Sequence, residues 1–402
     1  MNVLFLTMAR IGLLSERGVY TDLLRKFSAD GHKVYVLTPV ERREKRKTEV
    51  IVQENGTVLN VKTLNLQKVN IVEKGVGLLA IENQFLRAIK RNLNDVKFDL
   101  VIYSTPPITF VNVIRYIKKR DQAYAYLMLK DIFPQNAVDM KMIKKDSFLH
   151  RFFQKKERKL YNISDFIGCM SAANKEFLLK HNPQISEEKV EVNPNSIEPM
   201  ELLQTKEERE EIKVKYALPL DRKIFVYGGN LGKPQGVDFL LETIEKTTRN
   251  DVFFLIVGSG TEYKRIESWF KQWKPKNAVL KRGLPKDDYE YLLRACDVGM
   301  LFLHKDFTIP NFPSRLLSYL DLKLPVLAAT DRSTDVGTTI VNAECGLSIL
   351  WGDQEAMQEA ISQFCEDEIR YQQMKLNAFK LLVTEFHVNR SYELIKEKIQ
   401  NV

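Results

Sequence analysis

The sequence predicts an α/β protein of two domains, each a parallel sheet flanked by helices. Its length points that way first: 402 residues exceed what a single core usually serves. Short apolar runs then alternate with stretches of helical period in both halves, the pattern of βαβ units. Finally, a Gly-rich junction stands in mid-chain, Phe225-Val226-Tyr227-Gly228-Gly229-Asn230-Leu231-Gly232-Lys233-Pro234-Gln235-Gly236, with Val237, Leu240, Leu241 and Ile244 following at helical spacing. Strand, turn and helix start would bring N–H groups and the positive end of a helix dipole to one point. A phosphate is the natural occupant there, so this second domain reads as a nucleotide binder.

The elements follow in order. Met1–Thr7, Val34–Leu37, Asp99–Tyr103 and Ala125–Leu129 read as strands of the first half. Arg17–Ala29 has helical period through Val19, Leu23, Leu24 and Phe27, and Gly31-His32-Lys33 is a turn. Right-handed crossovers place ligands beyond the C-terminal ends of such strands. Asn182–Asp221 contains Pro183, Pro194, Pro199 and Pro219 and the charge run Lys206–Lys215, which suits a hinge and a surface helix. In the second half Lys223–Tyr227, Val252–Val257, Val298–Phe302 and Val326–Ala329 read as strands, and Arg282-Gly283-Leu284 closes another. Thr261–Trp273, Pro285–Ala295 and Pro313–Leu322 read as helices, and Phe379–Gln400 as one or two more. The domains expected are 1–194, completed by a C-terminal helix at 386–402, and 195–385.

The hydrophobic share of 44% and charged share of 28% are those of an ordinary globular protein. Cys169, Cys296, Cys345 and Cys365 form no C-x-x-C pair, which argues against a disulfide framework or zinc site and fits a reducing compartment. The N-terminus reads as a first strand rather than a signal peptide. No apolar run approaches the roughly 20 residues that span a bilayer. The net charge is +9, and it is uneven: residues 1–200 hold 33 Lys+Arg against 22 Asp+Glu, the rest 28 against 30. The first half is therefore expected to meet an anionic partner such as lipid headgroups, a lipid diphosphate or nucleic acid, with a merely solvated basic surface as the alternative. Phe148–Leu160 is amphipathic, with apolar residues at 148, 149, 152, 153 and 160 and basic residues mostly elsewhere. It suits an anionic membrane surface; packing on its own sheet is the alternative. Arg115, Lys118, Lys119, Arg120, Lys141, Lys144 and Lys145 extend the basic region. Basic residues without interleaved aromatic stacking motifs disfavour nucleic acid. The lack of G-x-G-x-x-G after the first strand disfavours a dinucleotide oxidoreductase.

The ordered set of motifs resembles the GT-B glycosyltransferases, and among them the large retaining family called family 4. The set comprises an early Gly-containing loop, Asp131 at a strand end, Asn195-Ser196-Ile197, the Gly-rich junction, Val257-Gly258-Ser259-Gly260, and Pro313-Ser314-Arg315 leading to Lys323-Leu324-Pro325-Val326. Lys130-Asp131-Ile132-Phe133-Pro134-Gln135 is similar to the Arg-Asp-Leu-Trp-Pro stretch of the fucosamine-transferase-like branch, which builds O-antigen and capsule units on a polyprenyl carrier. The resemblance implies two Rossmann-like domains facing a cleft. It implies a UDP-sugar donor of N-acetylhexosamine type, a polyprenyl-diphosphate-linked or oligosaccharide acceptor, and a cytoplasmic enzyme held peripherally at the inner face of the plasma membrane. There are departures. The family's Glu-x7-Glu pair falls on Pro310 and Ser318, its phosphate-turn Lys and Arg on Gln235 and Asn230, and a frequent His on Lys130. They motivate an alternative, a catalytically weak GT-B subunit that binds a glycan or partner.

A leaving diphosphate must be stabilised electrostatically. The chain has no Asp-x-Asp to hold a metal, so neither metal nor other cofactor is expected and the charge falls to N–H groups and cations. The candidates are the Gly228, Gly229, Asn230 and Gly232 turn, Lys233, and the Ser314-Arg315 helix start, with Ser314 as cap and Arg315 bidentate to phosphate. For each a plain turn or surface ion pair is the alternative. Asp131, at a strand end, is placed to orient a sugar or acceptor hydroxyl, and Lys130 to contact phosphate or hold Asp131 ionised. A capping Asp with a solvated Lys is the other reading. Ala9–Gly18, with Gly12, Ser15 and Gly18, would face the acceptor. Gly258, Gly260, Gly283 and Leu284 would by resemblance cradle base and ribose, and Ser318 holds the position of the ribose-binding Glu.

Overall fold

The computed structural model describes residues 1–66, 71–201 and 205–400. Residues 202–204 of the expected hinge and 401–402 of the expected last helix lie outside them. Met1–Glu198 with the segment from His387 onward forms one compact unit, and Pro199–Phe386 the other.

The first unit is built on eight strands: β1 Asn2–Leu6, β2 Lys33–Glu41, β3 Glu49–Gln53, β4 Gly56–Thr63, β5 Leu100–Ser104, β6 Tyr124–Leu129, β7 Phe166–Cys169 and β8 Val190–Val192. Their order is β3-β4-β2-β1-β5-β6-β7-β8, parallel except for the β3–β4 pair. β5 is buried along its whole length, as a strand covered on both faces must be. The sequence reading ends β2 at Leu37. The strand continues to Glu41 because Pro39 pairs with Val61 on the β4 side only, beyond the last residue paired with β1, where a missing N–H costs no ladder bond. The sequence reading has no counterpart to the β3–β4 hairpin, although Asn55-Gly56 is a hairpin signal. Helix Val388–Gln400 places Val388, Tyr392 and Ile395 in the same core as Leu23, Leu24 and Phe27. The Tyr392 and Phe27 rings meet edge-on at 4.8 Å.

The second unit is an all-parallel sheet of six strands: β9 Lys223–Asn230, β10 Val252–Ser259, β11 Ala278–Arg282, β12 Val298–Phe302, β13 Val326–Thr330 and β14 Gly346–Leu350. Their order is β11-β10-β9-β12-β13-β14. Phe225, Tyr227, Phe254, Met300 and Phe302 anchor its core. The charge run forms helix Lys206–Lys215, started by a capping box between Thr205 and Glu208. Two expectations are corrected. β9 does not stop at Tyr227 but runs through Gly228 and Gly229, which pair with Val257 and Gly258 of β10. The predicted helix Pro313–Leu322 shrinks to Arg315–Asp321, seven residues.

Candidate active site

In the second unit the C-terminal ends of β9, β10 and β11 stand side by side. Gly229 is opposite Gly258, and Gly258 opposite Arg282. A Cβ on Gly258 would lie 2.1 Å from the Gly229 carbonyl oxygen, so only glycine lets these strand ends close. Gly229 has φ +114°, a conformation open to glycine alone at little cost. The open side of Gly229 faces Arg315, whose Cζ lies 3.6 Å from where a Cβ would be. The Arg315 guanidinium rests 4.6 Å from the Tyr227 ring centroid, and its shielded Nη1 has no hydrogen-bond partner among the described residues. Tyr319 on the same short helix sends its hydroxyl to Val226 O and Met300 O and receives the Gly228 N–H at 3.3 Å. Burial pushes the Tyr319 phenol up to about 12, so it stays neutral beside the cation.

The junction differs from its sequence reading. The Gly228 N–H goes to Tyr319, the Leu231 N–H to Ser259 O, and the Gly232 N–H to Gln235 Oε1. The same Gln235 oxygen accepts from Asn230 Nδ2 at 3.1 Å. The two positions that depart from the family thus bond to each other, and these N–H groups are already used within the chain. Lys233 is exposed on the 3-10 turn Lys233–Gln235, and helix Val237–Lys246 begins only after Gly236. Ser314 is exposed and makes no side-chain cap, which corrects its assigned role. A seven-residue helix also has little dipole, so the fixed positive charge here is carried by Arg315. Ser318 is half-buried one turn further on. A Cβ on Gly260 would lie 2.3 Å from the Leu231 carbonyl oxygen, so the β10 loop is packed on the junction. Gly283 is exposed within ordinary contact distance of Ser259, and Leu284 beside it is half-buried.

In the first unit the loop after β1 and the Lys130-Asp131 pair after β6 rise from the same edge of the sheet. Gln53 pins the loop by donating to Gly12 O and accepting from Leu14 N–H, both at 2.8 Å. The Gly18 N–H goes to Asp22, while Gly12 and Ser15 are exposed. Thr105 Oγ1 organises the β6 end: it accepts from the Lys130 and Asp131 N–H groups and donates to Asp131 O. The Asp131 carboxylate takes both oxygens' bonds from Asn136 Nδ2, at 2.8 and 2.7 Å. The Lys130 ammonium turns instead toward Asn193 O, 3.4 Å away, and burial lowers its pKa to about 7.

Sequence reasoning missed the residues beneath this loop. Ile132, Pro134, His150, Glu157, Arg158 and His181 line a cavity of about 60 Å³. Burial pushes the Glu157 carboxyl up to about 7, and it accepts from the Tyr161 hydroxyl at 2.8 Å. His150 is buried, with Nδ1 taking the Asp146 N–H and Nε2 unpartnered among the described residues. The signal available was the i, i+4 spacing of Glu157 and Tyr161 on the helix expected to be merely amphipathic.

Residues 18–201 match the family described as Glycosyltransferase Family 4, and residues 208–381 that described as Glycosyl transferases group 1. The chain is a family 4-like glycosyltransferase of the GT-B fold. A probable glycosyltransferase WbjE of Pseudomonas aeruginosa is 21% identical over 72% of each chain. The putative teichuronic acid biosynthesis glycosyltransferase TuaC of Bacillus subtilis is 23% identical over 49% of this chain and 46% of its own. Among solved structures, Anabaena Alr3699/HepE in complex with UDP aligns over 100% of both chains with a TM-score of 0.71 at 13% identity, a likeness of fold. Among the described residues of this glycosyltransferase, no group of three or more His, Cys, Asp or Glu could hold a metal ion. No helix described is long and apolar enough to cross a membrane.

Proposed function

We propose that this glycosyltransferase moves a sugar, of N-acetylhexosamine type, from a UDP-sugar to a polyprenyl-diphosphate-linked or oligosaccharide acceptor in cell-surface polysaccharide synthesis. The observation that carries the proposal is Arg315: a shielded guanidinium with an unpartnered Nη1, held on Tyr227 against the bare face of Gly229 at the C-terminal edge of a parallel sheet. Such a cation is costly to desolvate unless an anion arrives. A diphosphate supplies that anion. In transfer with retention, the bond from the anomeric carbon to the diphosphate oxygen breaks and the acceptor oxygen bonds that carbon on the same face. The acceptor proton passes to the departing phosphate, giving the glycoside and UDP. Arg315, with the exposed Lys233 as a second cation, stabilises the leaving charge without a metal. Asp131, oriented by Asn136, receives a sugar hydroxyl.

The UDP complex of HepE supports the donor, and the name of TuaC supports the pathway class. The deciding experiment is a thermal-shift panel of UDP-, GDP-, dTDP- and CMP-sugars with and without EDTA. Stabilisation by a UDP compound, unchanged by EDTA and lost in Arg315→Gln, is expected. A shift that requires divalent metal contradicts the proposal.

The catalytically weak subunit is the second reading. Pro310 and Ser318 stand where carboxylates are usual, and the Gly228, Leu231 and Gly232 N–H groups are already bonded. UDP release by the purified chain alone, with a sugar acceptor or water, rules it out.

The membrane partner belongs to the same proposal, as does a place at the inner face of the plasma membrane. Met142, Phe148 and Leu149 are exposed beside Lys141, Lys144, Lys145 and Arg151, while Phe153 and Leu160 are buried in the unit itself. The expected apolar face thus divides, and only its first turn is free to enter an anionic lipid surface.

A further inference from the structure

The far edge of the second unit's sheet carries a site of its own. Arg222, Asn250 and Asn277 stand at the entries to β9, β10 and β11, at the end opposite the Gly229–Arg315 contact. They line a cavity of about 370 Å³, inside the range of roughly 300–1,000 Å³ usual for ligand clefts. One wall is aromatic. Trp269 and Trp273 of helix Tyr263–Trp273 stack with centroids 6.4 Å apart and planes 28° from parallel. Trp269 leans on the core, whereas Trp273 remains 53% exposed. Single exposed apolar residues are common. A stacked pair forming the wall of a cavity is a different matter, because it presents a flat face that water wets poorly.

The rest of the lining combines apolar Ile244 and Pro275 with polar groups, and its charged residues are three cations, Arg222, Arg249 and Lys276, against one acid, Glu245. Arg222 donates through Nη1 to Lys276 O at 3.3 Å, and no carboxylate among the described residues pairs with it. Lys276 is exposed, without an ion pair among those residues. Arg249 is held by Asp251 and Glu366, and Glu245 is the acid on the rim. Thr248 and Asn250 offer exposed hydroxyl and amide groups.

We propose that this cavity is a second glycan site, taking an oligosaccharide that bears a carboxylate; the ligand class rests on the glycosyltransferase reading above. The C–H face of a pyranose is polarised positive by its oxygens and stacks on the electron-rich face of Trp273. A ring carboxylate then meets Arg222 and Lys276, where charge-assisted bonds are strong. The site would hold the growing chain at the sheet end away from the nucleotide.

Titration of the full chain with trigalacturonic acid, followed by tryptophan fluorescence and calorimetry, tests this. Saturable binding is expected, weakened at least tenfold in Trp273→Ala and in Arg222→Gln/Lys276→Gln, and retained in Trp273→Phe, which keeps a flat face. UDP binding, measured in parallel, is expected to stay unchanged in all three variants, so failure here is separable from failure at the nucleotide site. Equal binding by Trp273→Ala overturns the site. Equal binding of neutral chitotriose overturns the carboxylate preference. Tighter binding of hexathymidylate than of either sugar would assign the platform to nucleic acid and sink the proposal.

Discussion

Arg315 and Glu157 show two ways a single shielded group can matter. Arg315 carries fixed charge at the donor edge, and Arg315→Ala is expected to lower kcat by about 10²–10³-fold, the effect of removing one preorganised donor to a developing anion. Steady-state kinetics with the identified donor decides it; an unchanged kcat would move the diphosphate elsewhere. Glu157 acts on stability. Its folded pKa is raised by burial from 4.5 to about 7, so between those values the folded state binds more protons than the unfolded. Stability therefore falls as pH rises through that window, and the cost is complete above it. Glu157→Gln is expected to raise the urea midpoint more at pH 8 than at pH 5. An equal gain at both would show that the carboxyl is not strained by burial. The role of Arg315 as a phosphate-binding cation was legible in the sequence, and that of Glu157 was not. What was not visible is that the Arg315 guanidinium rests on the ring of Tyr227, a residue of β9 some ninety positions earlier in the chain. Glu157 looked like one more charge on a basic helix.

At the scale of elements, the close approach of β9 and β10 is the feature most sensitive to a single atom. Gly258→Ala would drive a methyl into the Gly229 carbonyl, backbone against backbone, which no rotamer relieves. A loss of about 1–3 kcal/mol in chemical denaturation is expected, as for other overpacked sites. Loss of UDP binding in the residual folded protein should accompany it, since Gly229 would shift from Arg315. The first-unit helix Phe148–Ile163 makes a different prediction. Its start exposes Phe148 at 87%, while further along one face, with Phe153, Glu157, Leu160 and Tyr161, is buried. Phe148→Ser/Leu149→Ser is expected to reduce co-sedimentation with phosphatidylglycerol vesicles severalfold while leaving the melting temperature within about 2 °C, because little core is touched. Undiminished sedimentation would return that turn to an ordinary solvated role. The helix itself was readable from its period. Which of its apolar residues are free was not, because Phe148 and Phe153 look alike until the sheet beneath them is placed.

The whole molecule ties its two chain ends to one unit. Helix Val388–Gln400 supplies Val388, Tyr392 and Ile395 to the core that holds β1 and β2. At about 1.5–3 kcal/mol for each buried side chain, the three contribute about 5–9 kcal/mol, comparable with the net stability of a domain. A chain truncated after Phe386 is expected to lose amide protection across β1, β2 and helix Val19–Ala29 while the second unit keeps its own. Hydrogen exchange reads this directly, and undisturbed protection in β1 would show the helix to be dispensable.

The sequence by itself determined the α/β class, the alternation of buried strands and helices in both halves, and the order of motifs that marks a family 4-like glycosyltransferase. These are encoded by period and by glycine placement along the chain, which need no knowledge of what lies opposite. Only the tertiary structure decided that the Gly228, Leu231 and Gly232 N–H groups are spent on Tyr319, Ser259 and Gln235, and that Arg315 stands shielded against Gly229. It also decided that Lys130 turns to Asn193. Those outcomes depend on contacts between residues up to some ninety positions apart, and no local pattern carries information about which distant group will arrive within 4 Å.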